Sequence, residues 1–183
     1  MVPKQVMDIH AQLECRKTID RITELINCGI FNDGNRGHVL FWSAFIELMI
    51  CLRDLLRKSE KYATRISFTD DILTNDYVKD VHDAVVAMRD AGCHIDSYKK
   101  HLGKPQYRAS FIVVRGKGKP FSIGGIEPSS DYEDDLTFFH GMNRLYMKRH
   151  ILRAFEEAKT LLIPLLPQDP FQPPLPPVTT ISD

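Results

Sequence analysis

The sequence predicts an all-α fold: an up-and-down helical bundle with a β-hairpin inserted at about 106–126 and an extended Pro-rich C-terminal tail. Three observations predict it. Apolar side chains recur at helical spacing through most of the chain. A stretch rich in β-formers and glycine interrupts that spacing after Gly103. Seven of the eleven prolines fall between Pro164 and Asp183, where neither a helix nor an inner strand survives the loss of so many amide donors.

The elements follow in order. Ile9, Leu13, Ile19, Ile22, Leu25 and Ile26 mark a first helix over 6–27, ended by Gly29. Asn32-Asp33-Gly34-Asn35-Arg36-Gly37 is a loop signal. A second helix is expected from about His38 to Lys61, apolar almost all round at first and therefore central. Its most apolar run, Val39 to Leu56, contains Glu47, Arg53 and Asp54, so it reads as a buried helix and not a membrane span. Thr74 or Asn75 is expected to cap a third helix reaching Leu102, with the stripe Val78, Val81, Val85, Met88 and Ile95. Ala84, Ala87, Ala91 and Gly92 give it a small-residue face. Tyr107 to Val114 and Phe121 to Ile126 are the two expected hairpin strands, joined through Gly116-Lys117-Gly118-Lys119-Pro120. Ser130-x-x-Glu133 has the form of a capping box and predicts a last long helix from about Asp131 to Leu162 or Leu166.

At 183 residues, one domain is expected over 1–166, with the Pro-rich tail over 167–183. Hydrophobic residues are 43% and charged residues 26%, which excludes a collagen and a wholly disordered chain. The first residues, MVPKQVMDIHAQLECR, turn polar at once, so no secretory signal is expected. Cys15, Cys28, Cys51 and Cys93 are therefore expected as reduced thiols in a cytoplasmic protein. No Cys/His cluster has metal-ligand spacing, and neither a Walker phosphate loop nor a GxSxG elbow is present, so no metal and no cofactor are expected.

The 24 basic residues balance 24 acidic ones, which argues against bulk polyanion binding. The charge is locally polarised all the same. Between Ser97 and Ile126 lie seven cations and no acids; the next nine residues carry five acids. Lys99, Lys100, Arg115, Lys117 and Lys119 are the candidate RNA-binding residues if that stretch forms a basic surface. The competing reading is that the two segments are neighbours whose charges offset each other.

The candidate catalytic residues lie just before this stretch, in Arg89-Asp90-Ala91-Gly92-Cys93-His94. Arginine presents a charged fork matched to phosphate oxygens, and histidine titrates nearest neutral pH. A second pair at similar spacing, Arg144 and His150, lacks the polar neighbour and reads as the cationic face of a solvated helix. His82 shares the face of Arg89 and is a candidate supporting residue.

An arginine followed by a polar residue and then, four to six positions on, a histidine, set in a helical frame, resembles the HEPN superfamily. The resemblance covers about 6–102 and the last helix. It implies a compact helical domain acting as a metal-independent endoribonuclease, of the kind found among toxins and antiphage effectors. Arg89 would then bind the scissile phosphate, His94 would transfer protons and Asp90 would orient them. It also implies RNA as substrate, a homodimer with the site at its interface, and an antitoxin or regulatory protein as partner. Some members have lost catalysis, so the alternative is a non-catalytic regulatory or adaptor module. On an ideal helix Arg89 and His94 stand about 140° apart. One phosphate is reached by both only if the helix distorts near Gly92 or if two subunits converge through the third helix, near Ala84, Ala87 and Ala91.

Overall fold

The computed structural model describes residues 5–94, 101–102, 104–108 and 111–167. The expected Pro-rich tail beyond Pro167 and residues 95–100 of the expected third helix, Lys99 and Lys100 among them, lie outside these residues. The chain forms two compact units, one from Met1–Ile66 with Phe155–Asp183, the other from Ser67–Ala154.

The first unit is built on two antiparallel helices, α1 (Ile9–Asn27) and α2 (Phe41–Tyr62). Asp8 caps α1 by accepting from the Ala11 amide at 2.8 Å. Gly29, at φ +78, turns the chain out of it, a backbone angle that a side chain rarely adopts. Ile19, Ile22 and Ile26 of α1 are buried, as are Phe41, Phe45, Leu48, Leu52 and Leu55 of α2. The burial on α2 follows one stripe, and Ile50 remains 42% exposed; the helix is not buried all round. Polar contacts along the seam fix the antiparallel register. Arg21 meets Glu47 at 2.6 Å, and Thr18 donates to Asp54 at 3.2 Å.

The second unit overturns the all-α expectation. Strands β3 (Ile112–Arg115), β4 (Leu136–His140) and β5 (Asn143–Tyr146) form a three-stranded antiparallel sheet in that order. Helix α3 (Val81–Cys93) packs on β4 and β5. The two short strands β1 (His101–Leu102) and β2 (Lys104–Arg108) pair separately. The fold is mixed α/β.

Three sequence expectations fail here for identifiable reasons. The third helix does not begin at Asn75. That side chain accepts the amides of Tyr77 and Val78, at 2.8 and 3.0 Å, and closes a turn. Asp80 is the cap, accepting from the Asp83 amide at 3.0 Å, and the helix stops at Cys93 rather than at Leu102. The expected hairpin partner of β3 is also wrong. Ile112 pairs with Phe139 and Arg115 with Leu136, whereas Phe121–Ile126 forms a tight Gly124-Gly125 turn closed by Ile123 and Ile126. Finally, Ser130 opens no helix. Its buried hydroxyl donates to the Gly116 carbonyl and meets the Thr137 hydroxyl, both at 2.6 Å. The segment expected to be helical from Asp131 instead makes β4, a two-residue turn with Gly141 at φ +59, and β5. Helix begins only at Met147, as a π-helical turn over Met147–Leu152 that continues as α4 (Arg153–Leu162).

Candidate functional site

The exposed end of α3 carries the sequence-predicted catalytic residues. Val81, Ala84, Val85, Met88 and Ala91 form the buried stripe at helical spacing. Arg89 and Asp90 lie on the less buried side, with side chains 26% and 25% exposed. Arg89 Nη1 donates to Asp90 Oδ1 at 3.1 Å, while Arg89 Nε is buried without a hydrogen-bond partner among the described residues. His94 is the residue at which the helix ends. Its backbone turns extended, at φ −116 and ψ 113, and its N–H closes on the Asp90 carbonyl at 3.2 Å. The residue is exposed. Its N–H still closes a helical turn, so within one chain the separation of about 140° from Arg89 is not removed.

The small-residue face does something other than expected. Ala84, Ala87 and Ala91 are 4% exposed or less within the single chain, so they are not an open two-fold interface. His82 is buried as well, at 4%.

The Arg144/His150 pair is no solvated face. Arg144 lies on β5, 8% exposed at its side chain, and its guanidinium donates to the Ser129 carbonyl at 2.8 Å, Asp131 at 2.7 Å and the Asp71 carbonyl at 3.2 Å. His150 is fully buried in the π-helical turn. Its Nδ1 accepts the Tyr146 amide at 3.1 Å, which places the proton on Nε2, donating to the Asp70 carbonyl at 3.0 Å. Both side chains hold the 70–71 loop and the 129–131 segment against β5 and the π-helical turn. Arg153 adds a bond to Asp70 at 2.9 Å, and Tyr132 bonds Asp71 at 2.6 Å.

Burial pushes the His150 imidazole down to about 4 from its ordinary 6.5, outweighing the bond to Asp70 and the Asp71 charge. A histidine depressed in the folded state stabilises the fold fully above its unfolded value and loses that contribution as pH falls through the folded one. Stability is therefore expected to fall between about pH 6.5 and pH 4, by on the order of 3 kcal/mol. Urea unfolding at pH 7 and pH 4.5, beside His150→Asn, checks it. The variant, which keeps an acceptor for Tyr146, should lose much less on acidification. Parallel losses in the two proteins would assign the acid sensitivity elsewhere.

Of the candidate RNA-binding residues that are described, Arg115 is half-buried on β3, and Lys117 and Lys119 are exposed. Lys119 is held by Glu127 at 2.8 Å, and Ser122 donates to the same carboxylate at 3.0 Å. The hydrogen bond between them raises the lysine and lowers the glutamate from their ordinary values. At this pair the acidic segment does offset the basic one.

The first unit holds a separate open cleft of about 330 Å³, lined by Cys28, Ile30, Asn35, His38, Leu40 and Ala44. Its two chemistry-bearing residues are tied to nearby backbone. The Cys28 thiol donates to the Leu25 carbonyl at 3.2 Å, and His38 Nδ1 accepts the Leu40 amide at 3.1 Å. Among the described residues no group of three or more His, Cys, Asp or Glu side chains is placed to hold a metal ion, and no helix is long and apolar enough to cross a membrane.

Sequence reasoning missed the carboxylates of the sheet unit. Asp131 ties Arg144 to the Tyr146 hydroxyl at 3.1 Å, and buried Asp135 receives the start of the π-helical turn. The only signal was the run of acids after Glu127, which shows charge but not which acids become buried. The chain matches no family model, no curated protein and no solved structure.

Proposed function

We propose that the chain is a metal-independent ribonuclease acting from the exposed end of α3. The observation that carries the reading is a half-buried Arg89 whose Nε has no hydrogen-bond partner among the described residues, five residues before an exposed His94 at which α3 ends. Arg89 grips the scissile phosphate, and His94 takes the proton from the ribose 2′-hydroxyl. The 2′ oxygen bonds to phosphorus, the bond from phosphorus to the 5′ oxygen breaks, and the imidazolium returns its proton to that leaving oxygen. The products are a 2′,3′-cyclic phosphate and a 5′-hydroxyl. The same residues carry the resemblance to HEPN ribonucleases. A homodimer that shares the site must pair through the exposed helix end, since the alanine face is buried.

The adaptor reading has one observation in its favour. The Lys119–Glu127 pair neutralises a cation that RNA would use.

The test is cleavage of a labelled oligoribonucleotide by the purified chain in excess EDTA. Chelator-resistant cleavage with cyclic phosphate ends is expected. Loss of cleavage in EDTA, or products ending in a 3′-hydroxyl, would sink the mechanism and leave the adaptor reading standing.

A further inference from the structure

We infer that the open cleft just past α1 is the docking site for this chain's own Pro-rich tail, with Leu175 seated against Ile30, Leu40 and Ala44. The chain already starts toward it. Gln12 of α1 donates to the Leu165 carbonyl at 3.4 Å, and Arg16 donates to the Pro167 carbonyl at 3.5 Å. Gln12 precedes Arg16 by about one helical turn, so the last described residues run along α1 toward its C-terminal end. At that end Cys28 and Ile30 open the cleft. The tail and the cleft belong to the same compact unit.

The reach suffices. Arg16 and Cys28 are separated by about 18 Å along the helix axis. Leu175 stands eight residues past Pro167, which spans about 25 Å of extended chain. Prolines on both sides of Leu175 favour the extended form before any contact is made, so docking costs little backbone entropy. A second copy is a poorer occupant. The cleft's six lining residues fall well short of the roughly 20–30 that each side of a stable interface supplies. A segment tethered a few residues away needs no such area, because it meets the cleft at about millimolar effective concentration.

The chemistry of the two is complementary. No ionisable side chain lies between Asp169 and Asp183. In Pro173-Pro174-Leu175-Pro176-Pro177 only Leu175 keeps an amide N–H, so the segment offers carbonyl acceptors and apolar surface. The cleft supplies donors. His38 Nδ1 accepts the Leu40 amide at 3.1 Å, which leaves the Nε2–H to donate. Asn35 spends one amide hydrogen on the Gly29 carbonyl at 2.9 Å and keeps the other. Apolar surface is open as well: Leu40 is 58% exposed, beside Val39 at 84%. The volume, about 330 Å³, is at the small end for ligand pockets and suits one aliphatic side chain with its flanking rings.

Cys28 lines the cleft with an exposed thiol and reports on the occupant. The full chain is alkylated with iodoacetamide, and each cysteine is followed by peptide mass spectrometry. A docked tail covers Cys28. If the free segment binds at about 0.1 mM, a millimolar effective concentration slows alkylation there about tenfold. Leu175→Glu, which puts a charge on the seated side chain, should restore the fast rate at Cys28 and leave Cys51 and Cys93 unchanged. A synthetic peptide of residues 170–179, added at about millimolar concentration, should protect Cys28 again in the Leu175→Glu protein. Equal Cys28 rates in wild type and Leu175→Glu overturn the docking. So does faster alkylation at all three cysteines, which would mean a general loosening, or a failure of the peptide to protect. Protection that fades as the protein is diluted overturns it in favour of a second copy's tail.

Discussion

Replacing His94 with alanine is expected to lower RNA cleavage by about 10²–10⁴-fold, the range for removing a positioned proton-transfer group. Stability should stay within about 0.5 kcal/mol of wild type, as for other surface substitutions. The second expectation comes from where the residue sits. His94 is exposed, and its backbone N–H holds the Asp90 carbonyl, a bond that alanine preserves. Arg89→Lys should also lose most activity. Lysine keeps the charge but brings a single rotating ammonium in place of a planar fork. Single-turnover cleavage measured beside thermal unfolding separates the two effects. A fully active His94→Ala protein would falsify the assignment. It would not return attention to Arg144 and His150, because those side chains are buried and their bonds are taken up by the fold.

The parts of the fold that were legible are those decided within one or two helical turns. The end of α1 near Gly29 is a local property that the structure reproduces, and of its expected apolar stripe Ile19, Ile22, Leu25 and Ile26 are buried whereas Ile9 and Leu13 are exposed. The start of α3 was misplaced because Asn75 and Asp80 carry the same capping signal. The residues downstream of each separate them. Asn75 bonds Tyr77 and Val78 into a turn, and only after Asp80 does the chain bury Val81, Ala84 and Val85 on one side. The sheet was missed for a different reason. Arg115 pairs with Leu136 across a long connection, and nothing in either segment announces the other. A local clue did exist. Leu136-Thr137-Phe138-Phe139-His140, then Gly141-Met142, then Asn143-Arg144-Leu145-Tyr146 is β-former, turn, β-former. Ser130-x-x-Glu133 points the other way, although that pattern needs a helix behind it to mean anything.

The candidate site divides along the same line. The Arg89–Asp90 contact, at 3.1 Å, is between sequence neighbours and so is local, and His94 follows at the end of α3. The Arg144 network was unreadable because its partners lie up to 73 residues away, at Asp71. Only the packed sheet unit shows that this arginine and His150 belong to the interior. Charge counting likewise could not distinguish Glu127, which faces solvent and holds Lys119, from Asp135, which is sealed inside.

Asp135→Ala is expected to destabilise the chain by about 3–5 kcal/mol, the range for breaking a buried ion pair from one side. Asp135 is 0% exposed. One carboxylate oxygen accepts the amides of Leu136 at 2.8 Å and Lys148 at 2.9 Å. The other accepts the Arg149 amide at 3.2 Å and its guanidinium at 2.9 Å. The side chain, one residue ahead of β4, thus caps the start of the π-helical turn, where helical amides have no partner of their own. Alanine strands those amides and leaves Arg149 to Asp134, at 2.9 Å, and to the Tyr132 ring, 3.6 Å from the guanidinium. Asp135→Asn keeps one acceptor oxygen and should lose less than alanine does. Urea unfolding of the three proteins at pH 7 measures the differences. An alanine variant within about 0.5 kcal/mol of wild type, the range of an ordinary surface change, would mean that the π-helical turn holds without this carboxylate.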